Sequence, residues 1–387
     1  MHLKRKVRLG MIGGGKGSFI GAVHRMAAAL DGQTELVCGA FSSNPEVSYE
    51  SGKELYLPDS RIYSTYQEMI YKENLLPEEV RMELISVVTP NHVHFEPVKM
   101  GLEAGFHVIC DKPLCFNLEE AYILFDIVKN SDKIFALTHN YTGYPMVKQA
   151  KYLVDSGKMG KIRKVVTEYA QGWLSNSIEN EGQKQASWRT DPNRSGIAGA
   201  IGDIGTHAEN LGRYISGLEM ESICADINTH VEGRALDDDG NILVRYSNGA
   251  SGILYASQIS AGEENNLKIR VYGETGSLEW SQMEPNTLIV KWLDKPTQYF
   301  RTGSHDLCQH AVLHSRLPSG HPEGYIEAFA NIYRNVSYAI QNHNTGYKND
   351  QSLFDFPGIE DGVKGMEFIY KAIQSGQENK KWLNFKN

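Results

Sequence analysis

A short apolar run at residues 7–12 ends in a glycine-rich turn, residues 13–21, and helix formers occupy residues 22–30. Strand, tight turn and helix in this order favour the first unit of a doubly wound α/β sheet. Glycines at such a turn let backbone N–H groups approach an anion at the N-terminus of the helix. The turn therefore predicts a site for the pyrophosphate of a dinucleotide.

The spacing of the glycines departs from the usual dinucleotide fingerprint. Gly13 and Gly15 fit its first two positions, but five residues separate Gly15 from Gly21 where two are usual. Either the turn is longer in this chain, or Gly17 takes the third position. We expect cofactor contacts at Gly13, Gly15, Gly17, Ile20 and Gly21. The alternative is a flexible loop without a ligand, which the position after the first strand disfavours.

The end of the second apolar run, residues 35–41, bears on the choice between NAD and NADP. A carboxylate there would bind the 2′-hydroxyl of NAD, and an arginine would bind the 2′-phosphate of NADP. The chain instead has Ser42, Ser43 and Asn44, which are neither acidic nor basic. Both cofactors stay open, with Ser42 and Ser43 as expected contacts, and the lack of a cation favours NAD.

Short apolar runs alternate with amphipathic segments over the first 140 residues, a pattern that predicts a parallel sheet with helices on both faces. After residue 144, strands follow one another through hairpin turns such as Ser247-Asn248-Gly249. We therefore expect an α/β Rossmann domain over residues 1–142. An α+β domain with a large, mostly antiparallel open sheet should occupy residues 143–387.

Two helical segments, residues 205–216 and 322–341, are expected to cover one face of the second sheet. In an alternative arrangement the C-terminal helices pack back on the first domain. The other face of the sheet would stay open and partly apolar. Such a face is a natural surface for a homodimer or homotetramer.

Composition excludes several classes of partner. A net charge of −8, from 47 acidic and 39 basic residues, disfavours a nucleic acid or an anionic membrane surface. No apolar run approaches the roughly 20 residues needed to span a bilayer. Five scattered cysteines without a Cys-x-x-Cys pair indicate reduced thiols in a cytoplasmic protein. The histidines and cysteines lack the spacing of metal ligands, and we assign no metal.

Lys112 follows the apolar run at residues 107–110 and precedes a proline. It is therefore expected at the carboxyl end of a parallel strand, where open α/β sheets bind their ligands. A lysine there can stabilise negative charge on a substrate oxygen. The alternative is a solvated lysine in a loop.

Asp203 and His207 are four residues apart at the start of a predicted helix, so their side chains should share a face. Histidine titrates near neutral pH and suits the removal of a hydroxyl proton, and a neighbouring carboxylate orients its ring. Alternatively, Asp203 is a helix cap with His207 packed beside it. Trp188 and Arg189 offer an indole face and a guanidinium fork for a sugar, unless the tryptophan is simply buried.

Taken together, these residues resemble the Gfo/Idh/MocA oxidoreductases over nearly the whole chain. The matching elements are Gly13 and Gly15, Thr89-Pro90-Asn91 with His94, Asp111-Lys112-Pro113, His139-Asn140-Tyr141, Trp188-Arg189, and Asp203 with His207. The family usually has Glu-Lys-Pro where this chain has Asp111, which shortens the reach of that carboxylate towards the nicotinamide ribose. The long glycine turn is similar to that of members acting on anhydrosugars or related cyclic polyols, such as levoglucosan dehydrogenase.

The resemblance implies NAD(P)-dependent hydride transfer at a sugar-type carbinol, and an oligomer formed through the C-terminal sheet. In this interpretation His207 is the general base, Lys112 stabilises the developing alkoxide, and Asp203 orients His207 and holds a substrate hydroxyl. The implied cofactor contacts also include Thr89, Asn91, His94, Asp111, Lys112 and Asn140. The implied substrate contacts are Lys112, Tyr141, Trp188, Arg189, Asp203 and His207.

Two rival functions remain at this stage. One is an NAD-dependent glycoside hydrolase of the same family, which oxidises the sugar transiently, eliminates the glycosidic group and returns the hydride. The other is a non-catalytic dinucleotide sensor that binds a partner protein. The sequence leaves open which sugar or polyol is bound, which carbon reacts, in which direction, and whether the cofactor leaves after each turnover.

Overall fold

The computed structural model describes residues 5–345, 354–378 and 382–385. The chain divides into two compact units. Unit 1 comprises Met1–Asn140 and Tyr325–Val363, and unit 2 comprises Tyr141–Gly324 and Lys364–Asn387. A functional domain boundary at residue 142 stays a prediction.

The strands of the described residues belong to two sheets, one in each unit. Numbered in chain order, they are β1 Val7–Gly13, β2 Thr34–Ala40, β3 Leu84–Val88, β4 His107–Cys110, β5 Phe135–Leu137, β6 Lys164–Ala170, β7 Met220–Asn228, β8 Asp239–Tyr246, β9 Ser251–Ser257, β10 Asn266–Tyr272, β11 Gly276–Ser281, β12 Thr287–Trp292, β13 Gln298–Arg301 and β14 Trp382–Asn384.

The α-helices of the same residues are likewise numbered in chain order. They are α1 Phe19–Leu30, α2 Pro45–Glu54, α3 Tyr66–Asn74, α4 Phe95–Glu103, α5 Leu118–Lys129, α6 Pro145–Asp155, α7 Lys184–Arg189, α8 Pro192–Ser195, α9 Thr206–Ser216, α10 Gln309–Leu313, α11 Tyr325–Thr345 and α12 Ile359–Gln377. A π-helix, Ile201–Gly205, runs directly into α9.

Unit 1 contains a five-stranded parallel sheet in the order β2-β1-β3-β4-β5. Its central strands are buried on both faces, which is why they read as continuous apolar runs in the sequence. Several of its helices begin at a side chain that accepts a backbone N–H, namely Ser18 for α1, Asn44 for α2 and Asn117 for α5. The predicted Rossmann fold is confirmed.

Helix α11 belongs to unit 1, whereas we expected residues 322–341 to cover the second sheet. Its residues Phe329, Tyr333 and Val336 join a buried cluster with Val7 and Val23 of the first strand and first helix. The helix has an apolar stripe, but a stripe does not specify which surface it will meet. The alternative in which a C-terminal helix packs back on the first unit is the one observed.

Unit 2 contains a nine-stranded sheet in the order β13-β12-β11-β10-β6-β9-β8-β7-β14. Every neighbouring pair is antiparallel except β6 and β9, which are parallel. Helices α6 and α9 lie against one face of this sheet. The other face exposes apolar side chains, among them Leu243, Ile253 and Tyr272. The predicted open, mostly antiparallel sheet is confirmed.

The packing of α11 in unit 1 predicts that Phe329 contributes strongly to the free energy of unfolding. Phe329 is 1% exposed and Phe19 is 67% exposed. Phe329→Ala should lower the free energy of unfolding by about 3–5 kcal/mol, because it leaves a cavity in a packed core. Phe19→Ala, the same change on the surface, should alter it by less than about 0.5 kcal/mol. Urea unfolding followed by circular dichroism measures both, and equal effects would contradict this packing.

Candidate active site

The glycine turn of unit 1 brings strand β1 and helix α1 into backbone contact. Gly13 has φ +80°, a conformation that favours glycine, and a Cβ there would lie 2.7 Å from the carbonyl oxygen of Val88. A Cβ on Gly21 would lie 2.3 Å from the carbonyl oxygen of Gly14. Gly21 therefore makes the close helix–strand approach expected of the third glycine, and the turn is the longer of the two forms considered.

The rest of the turn leads the chain to the N-terminus of α1. The Ser18 N–H donates to the Gly15 carbonyl at 3.0 Å, and the Ser18 hydroxyl accepts from the Gly21 N–H at 3.2 Å. Gly17 has φ +77°, and Ile20 packs on the buried core. A helix N-terminus beside a strand end is suited to an anionic pyrophosphate.

Ser42 and Ser43 follow the end of β2 after one intervening residue, Phe41. The Ser42 hydroxyl accepts from the Asn44 N–H at 3.1 Å, and the Asn44 side chain caps α2. Ser43 is exposed. These contacts build the start of α2 and supply neither a carboxylate for a 2′-hydroxyl nor a cation for a 2′-phosphate.

His94 connects two loops that follow neighbouring strands. Its side chain is fully buried, with Nδ1 2.8 Å from the Pro113 carbonyl oxygen and Nε2 2.8 Å from the Thr89 carbonyl oxygen. Burial lowers the pKa of His94 and favours the neutral ring, although the charge of Asp111 opposes this shift. A neutral imidazole carries one N–H, so one ring nitrogen donates to its carbonyl oxygen and the other only contacts its own. Asn91 is also buried, in a short 3₁₀ turn. His94 thus holds the loops of Thr89 and Pro113 in place.

Asp111 follows the carboxyl end of β4, and its carboxylate accepts hydrogen bonds there. Its Oδ1 accepts from the Lys112 N–H at 2.9 Å and from the Thr138 hydroxyl at 2.7 Å. His24 Nε2 lies 3.9 Å from the same oxygen. Burial raises the pKa of Asp111, but His24, Lys112 and Thr138 together bring it well below its usual value. The carboxylate is therefore ionised throughout the physiological range.

The parallel sheet assembles these groups at one edge. The glycine turn follows β1, Thr89 follows β3, Lys112 follows β4, and the buried Asn140 follows β5. Strands that run in the same direction end at the same edge, so the sequence-predicted cofactor residues of unit 1 lie there together. Sequence reasoning missed His24, because a histidine within the apolar pattern of α1 carries no local signal of its role.

In unit 2, Asp203 lies inside the π-helix and His207 in the first turn of α9. Asp203 is therefore not a helix cap. Its Oδ2 accepts from Arg189 Nε at 3.0 Å and from Gln258 Nε2 at 2.9 Å. The buried His207 ring stands edge-on to the Tyr141 ring, with 4.8 Å between the centroids. Short π-helical segments are frequent at functional sites.

Arg189 is held between charge and aromatic surfaces. Besides its ion pair with Asp203, its guanidinium carbon lies 4.2 Å from the Trp188 ring centroid and 5.9 Å from that of Trp173. Its NH1 group donates to Gln185 Oε1 at 2.7 Å. The positive charge is thus largely compensated within the protein, and the two indoles flank it.

A row of amides, which the sequence analysis missed, continues from Asp203 along one sheet edge. Gln171 follows β6, Gln258 follows β9 and Asn265 precedes β10. Gln258 Nε2 lies 3.4 Å from Gln171 Oε1, and Gln171 Nε2 donates to Asn265 Oδ1 at 2.7 Å. We refer to Gln171, Gln258 and Asn265 as the amide row. In the sequence, the signal for this row is an amide residue next to one end of each of three apolar strands.

Two phenols connect the amide row to the histidine. The Tyr169 hydroxyl donates to Asn265 Oδ1 at 2.7 Å, and Asn265 Nδ2 donates to the Tyr141 hydroxyl at 3.2 Å. The Tyr141 and Tyr169 hydroxyls also hydrogen-bond each other. Burial raises the pKa of Tyr141, so its hydroxyl stays neutral. Neutral donors and acceptors beside an imidazole suit a polyhydroxylated ligand and removal of a hydroxyl proton.

Within the described part of the chain, histidine, cysteine and carboxylate side chains form no group of three or more that could hold a metal ion. None of the helices in residues 5–345, 354–378 and 382–385 has the length and apolar character of a membrane span.

The contact between Gly14 and Gly21 predicts a specific binding defect. Gly21→Ala places a Cβ against the Gly14 carbonyl, displaces α1, and should raise the Kd for NADH at least about tenfold, the effect of about 1.4 kcal/mol. Gly358→Ala is the control, because its Cβ would meet only the Glu360 carboxylate, at 3.6 Å. Fluorescence titration with NADH measures both. Wild-type affinity in the Gly21 variant would rule out this role of the turn.

Comparisons with known proteins agree with this geometry. Residues 7–139 match the model of the oxidoreductase family with an NAD-binding Rossmann fold, and residues 147–279 match the GFO/IDH/MocA C-terminal domain. The chain is 32% identical to the uncharacterized oxidoreductase YfiI of Bacillus subtilis, over 99% of this chain and 98% of that protein. It is 27% identical to levoglucosan dehydrogenase of Pseudarthrobacter phenanthrenivorans, over 74% of this chain and 76% of that enzyme.

An inositol dehydrogenase homolog from Azotobacter vinelandii, solved in complex with NAD⁺, superimposes with a TM-score of 0.94 and 34% identity, covering 99% of this chain and 98% of that one. The same homolog in complex with NADH and myo-inositol gives a TM-score of 0.91 and 33% identity, with the same coverage. On its two family models, its full-length relative and its fold, the chain belongs to the Gfo/Idh/MocA family of NAD-binding oxidoreductases.

Proposed function

We propose that this oxidoreductase transfers hydride reversibly between nicotinamide and a carbinol carbon of a neutral cyclic polyol, such as a sugar, anhydrosugar, inositol or glycoside. The observation that carries the proposal is the grouping of Asp203, His207 and the amide row in unit 2. An acid–base side chain thus lies beside neutral groups that can bind several hydroxyls. Relatives described as levoglucosan dehydrogenase and as an inositol dehydrogenase homolog support this substrate class.

The residues of unit 1 fit a dinucleotide. Backbone contact at Gly14 and Gly21 leaves space for a pyrophosphate at the start of α1, and the ionised Asp111 offers a carboxylate at the expected nicotinamide end. When bound, the nicotinamide accepts or supplies the hydride. NAD is favoured over NADP because Ser42 and Ser43 bring no cation to a 2′-phosphate.

In the proposed reaction His207 takes the proton of the substrate hydroxyl, and Lys112 stabilises negative charge on that oxygen. Asp203 holds a second hydroxyl and helps to orient His207, while Arg189 and Gln258 keep its carboxylate in position. The cofactor contacts are proposed to be those derived from the sequence, with His94 acting indirectly through Thr89 and Pro113.

Replacing the proton-transfer residues provides the direct test. Lys112→Ala and His207→Ala should each lower kcat by roughly 10² or more, the usual scale for losing an acid–base group. The exposed Lys6 and His230 allow matched controls, since Lys6→Ala and His230→Ala should leave kcat within about twofold. NADH formation with myo-inositol and a panel of sugars is followed by absorbance. Unchanged turnover in the Lys112 and His207 variants would contradict these roles.

The pairing of Arg189 with Asp203 predicts selectivity for uncharged substrates. A phosphorylated sugar would bring a charge that competes for an arginine already neutralised within the site, and a buried charge without a partner is costly. We expect kcat/KM for a neutral sugar to exceed that for its 6-phosphate at least about tenfold, or 1.4 kcal/mol. Steady-state kinetics on a sugar and its 6-phosphate measures this ratio. Equal values would contradict the predicted effect of the Arg189–Asp203 pair.

The same assays separate the rival functions. Cleavage of an aryl glycoside without net NADH formation would support the NAD-dependent glycoside hydrolase. NADH binding without turnover of any substrate, together with a partner protein that copurifies, would support the dinucleotide sensor.

Two other expectations remain proposals. The exposed apolar residues Leu243, Ile253 and Tyr272 on the open face of the second sheet suit a homodimer or homotetramer. Free thiols at all five cysteines are typical of a cytoplasmic protein.

A further inference from the structure

The buried carboxylate of Asp237 binds the start of the helical segment that carries Asp203 and His207. Asp237 lies in the loop between β7 and β8, and the residue is 7% exposed. Its Oδ1 accepts from the Gly199 N–H at 2.6 Å, and its Oδ2 accepts from the Ile201 N–H at 2.7 Å. Its backbone carbonyl accepts from the intervening Ala200 N–H at 2.9 Å. Asp237 thus takes three consecutive N–H groups.

These N–H groups lie at the entry to the π-helix Ile201–Gly205. The first N–H groups of a helix have no partner within it and need an outside acceptor. Contact at this point is tight, because a Cβ on Gly199 would lie 2.2 Å from the Asp237 carbonyl oxygen. Asp203 follows two residues after Ile201 and His207 six residues after it. The position of both side chains therefore depends on where Asp237 holds this entry.

Ionisation of Asp237 lowers the stability of the fold. Burial, reinforced by the charge of Asp238, raises the pKa of Asp237 to about 6 in spite of its backbone hydrogen bonds. A carboxyl group with a raised pKa stabilises the fold most when protonated, and this contribution is lost as the pH rises from the ordinary aspartate value to about 6. At neutral pH the ionised Asp237 thus stabilises the fold less than its protonated form would, while it provides two acceptors for the segment entry.

The neighbouring Asp238 has the same chemistry but serves a different segment. It is also buried, and its carboxylate accepts from the His230 N–H and the Val231 N–H, each at 2.9 Å. Arg234 lies 3.4 Å from it. Two adjacent carboxylates therefore each hold two backbone N–H groups, one pair at the entry to the π-helix and the other in the loop that follows β7.

We propose that Asp237 is a positioning residue, which sets the placement of Asp203 and His207 for proton transfer by holding the entry of the π-helix without touching the reacting atoms. The proposal rests on the proposed function, because it assigns Asp237 an effect on turnover. If the proposal is right, loss of Oδ1 or Oδ2 of Asp237 as an acceptor shifts Asp203 and His207. The dinucleotide site of unit 1 stays intact.

The test compares Asp237→Asn with Asp238→Asn. Asparagine keeps one acceptor and replaces the other with an NH₂ group, so one backbone N–H would face a donor. We expect Asp237→Asn to lower kcat with the best polyol at least about tenfold, since a misplacement of about 1 Å can cost roughly 10². KM for NAD should stay within about twofold. Asp238→Asn should leave kcat within about threefold, whatever its effect on Tm.

Asp237→Glu separates positioning from folding. It keeps both acceptors on a side chain longer by one methylene, and kcat should fall between those of Asp237→Asn and the wild type. If Asp237→Asn does not fold, a lower kcat with an unchanged KM for NAD in Asp237→Glu supports the proposal. A wild-type kcat in Asp237→Asn overturns the proposal. If only Asp237→Glu folds, a wild-type kcat in that variant overturns it. So does an equal loss of kcat in Asp238→Asn.

Hydrogen–deuterium exchange gives a readout that does not need turnover. Asp237→Asn should speed exchange in peptides covering residues 199–207, while Asp238→Asn should speed it only around residues 229–234. If the wild type oxidises no polyol but the exchange pattern is as expected, the proposed function fails and the structural part of this inference stands. If the wild type is active and exchange at residues 199–207 does not respond to Asp237→Asn, the inference alone fails.

Discussion

Backbone contact between Gly14 and Gly21 is the constraint on which the arrangement of unit 1 depends. A Cβ at Gly21 would lie 2.3 Å from the Gly14 carbonyl oxygen, so α1 can start this close to β1 only with glycine there. The contact sets where the N-terminus of α1 meets the edge at which β3 and β4 also end. Lys112 and the ionised Asp111 take their positions from that edge, and His94 fixes the loops on either side.

In unit 2, a mostly antiparallel sheet also brings polar side chains together at one edge. Parallel pairing of β6 with β9 brings Gln171 and Gln258 to one edge, and the antiparallel neighbour β10 brings Asn265 to the same edge. The sheet edge thus carries the amide row, while a separate helical segment carries Asp203 and His207. That segment is held by Asp237, so the site depends on a loop as well as on the sheet.

Much of unit 1 could be predicted because its signals are local. The apolar run at residues 7–12 lies within β1, and the run at residues 107–110 has the bounds of β4. The sequence left two surfaces open for α11, because an apolar stripe indicates burial but does not indicate the surface that covers it.

The sequence by itself determined the glycine turn, the alternation of strands and helices in the first unit, and the spacing of Asp203 and His207, because each of these patterns involves residues only a few positions apart. Tertiary structure alone decided that Arg189 is neutralised by Asp203 and that three strands bring the amide row together. It also decided that a carboxylate 36 residues away would cap Ile201. Such pairings depend on the order and register of distant strands and loops, which no local pattern records.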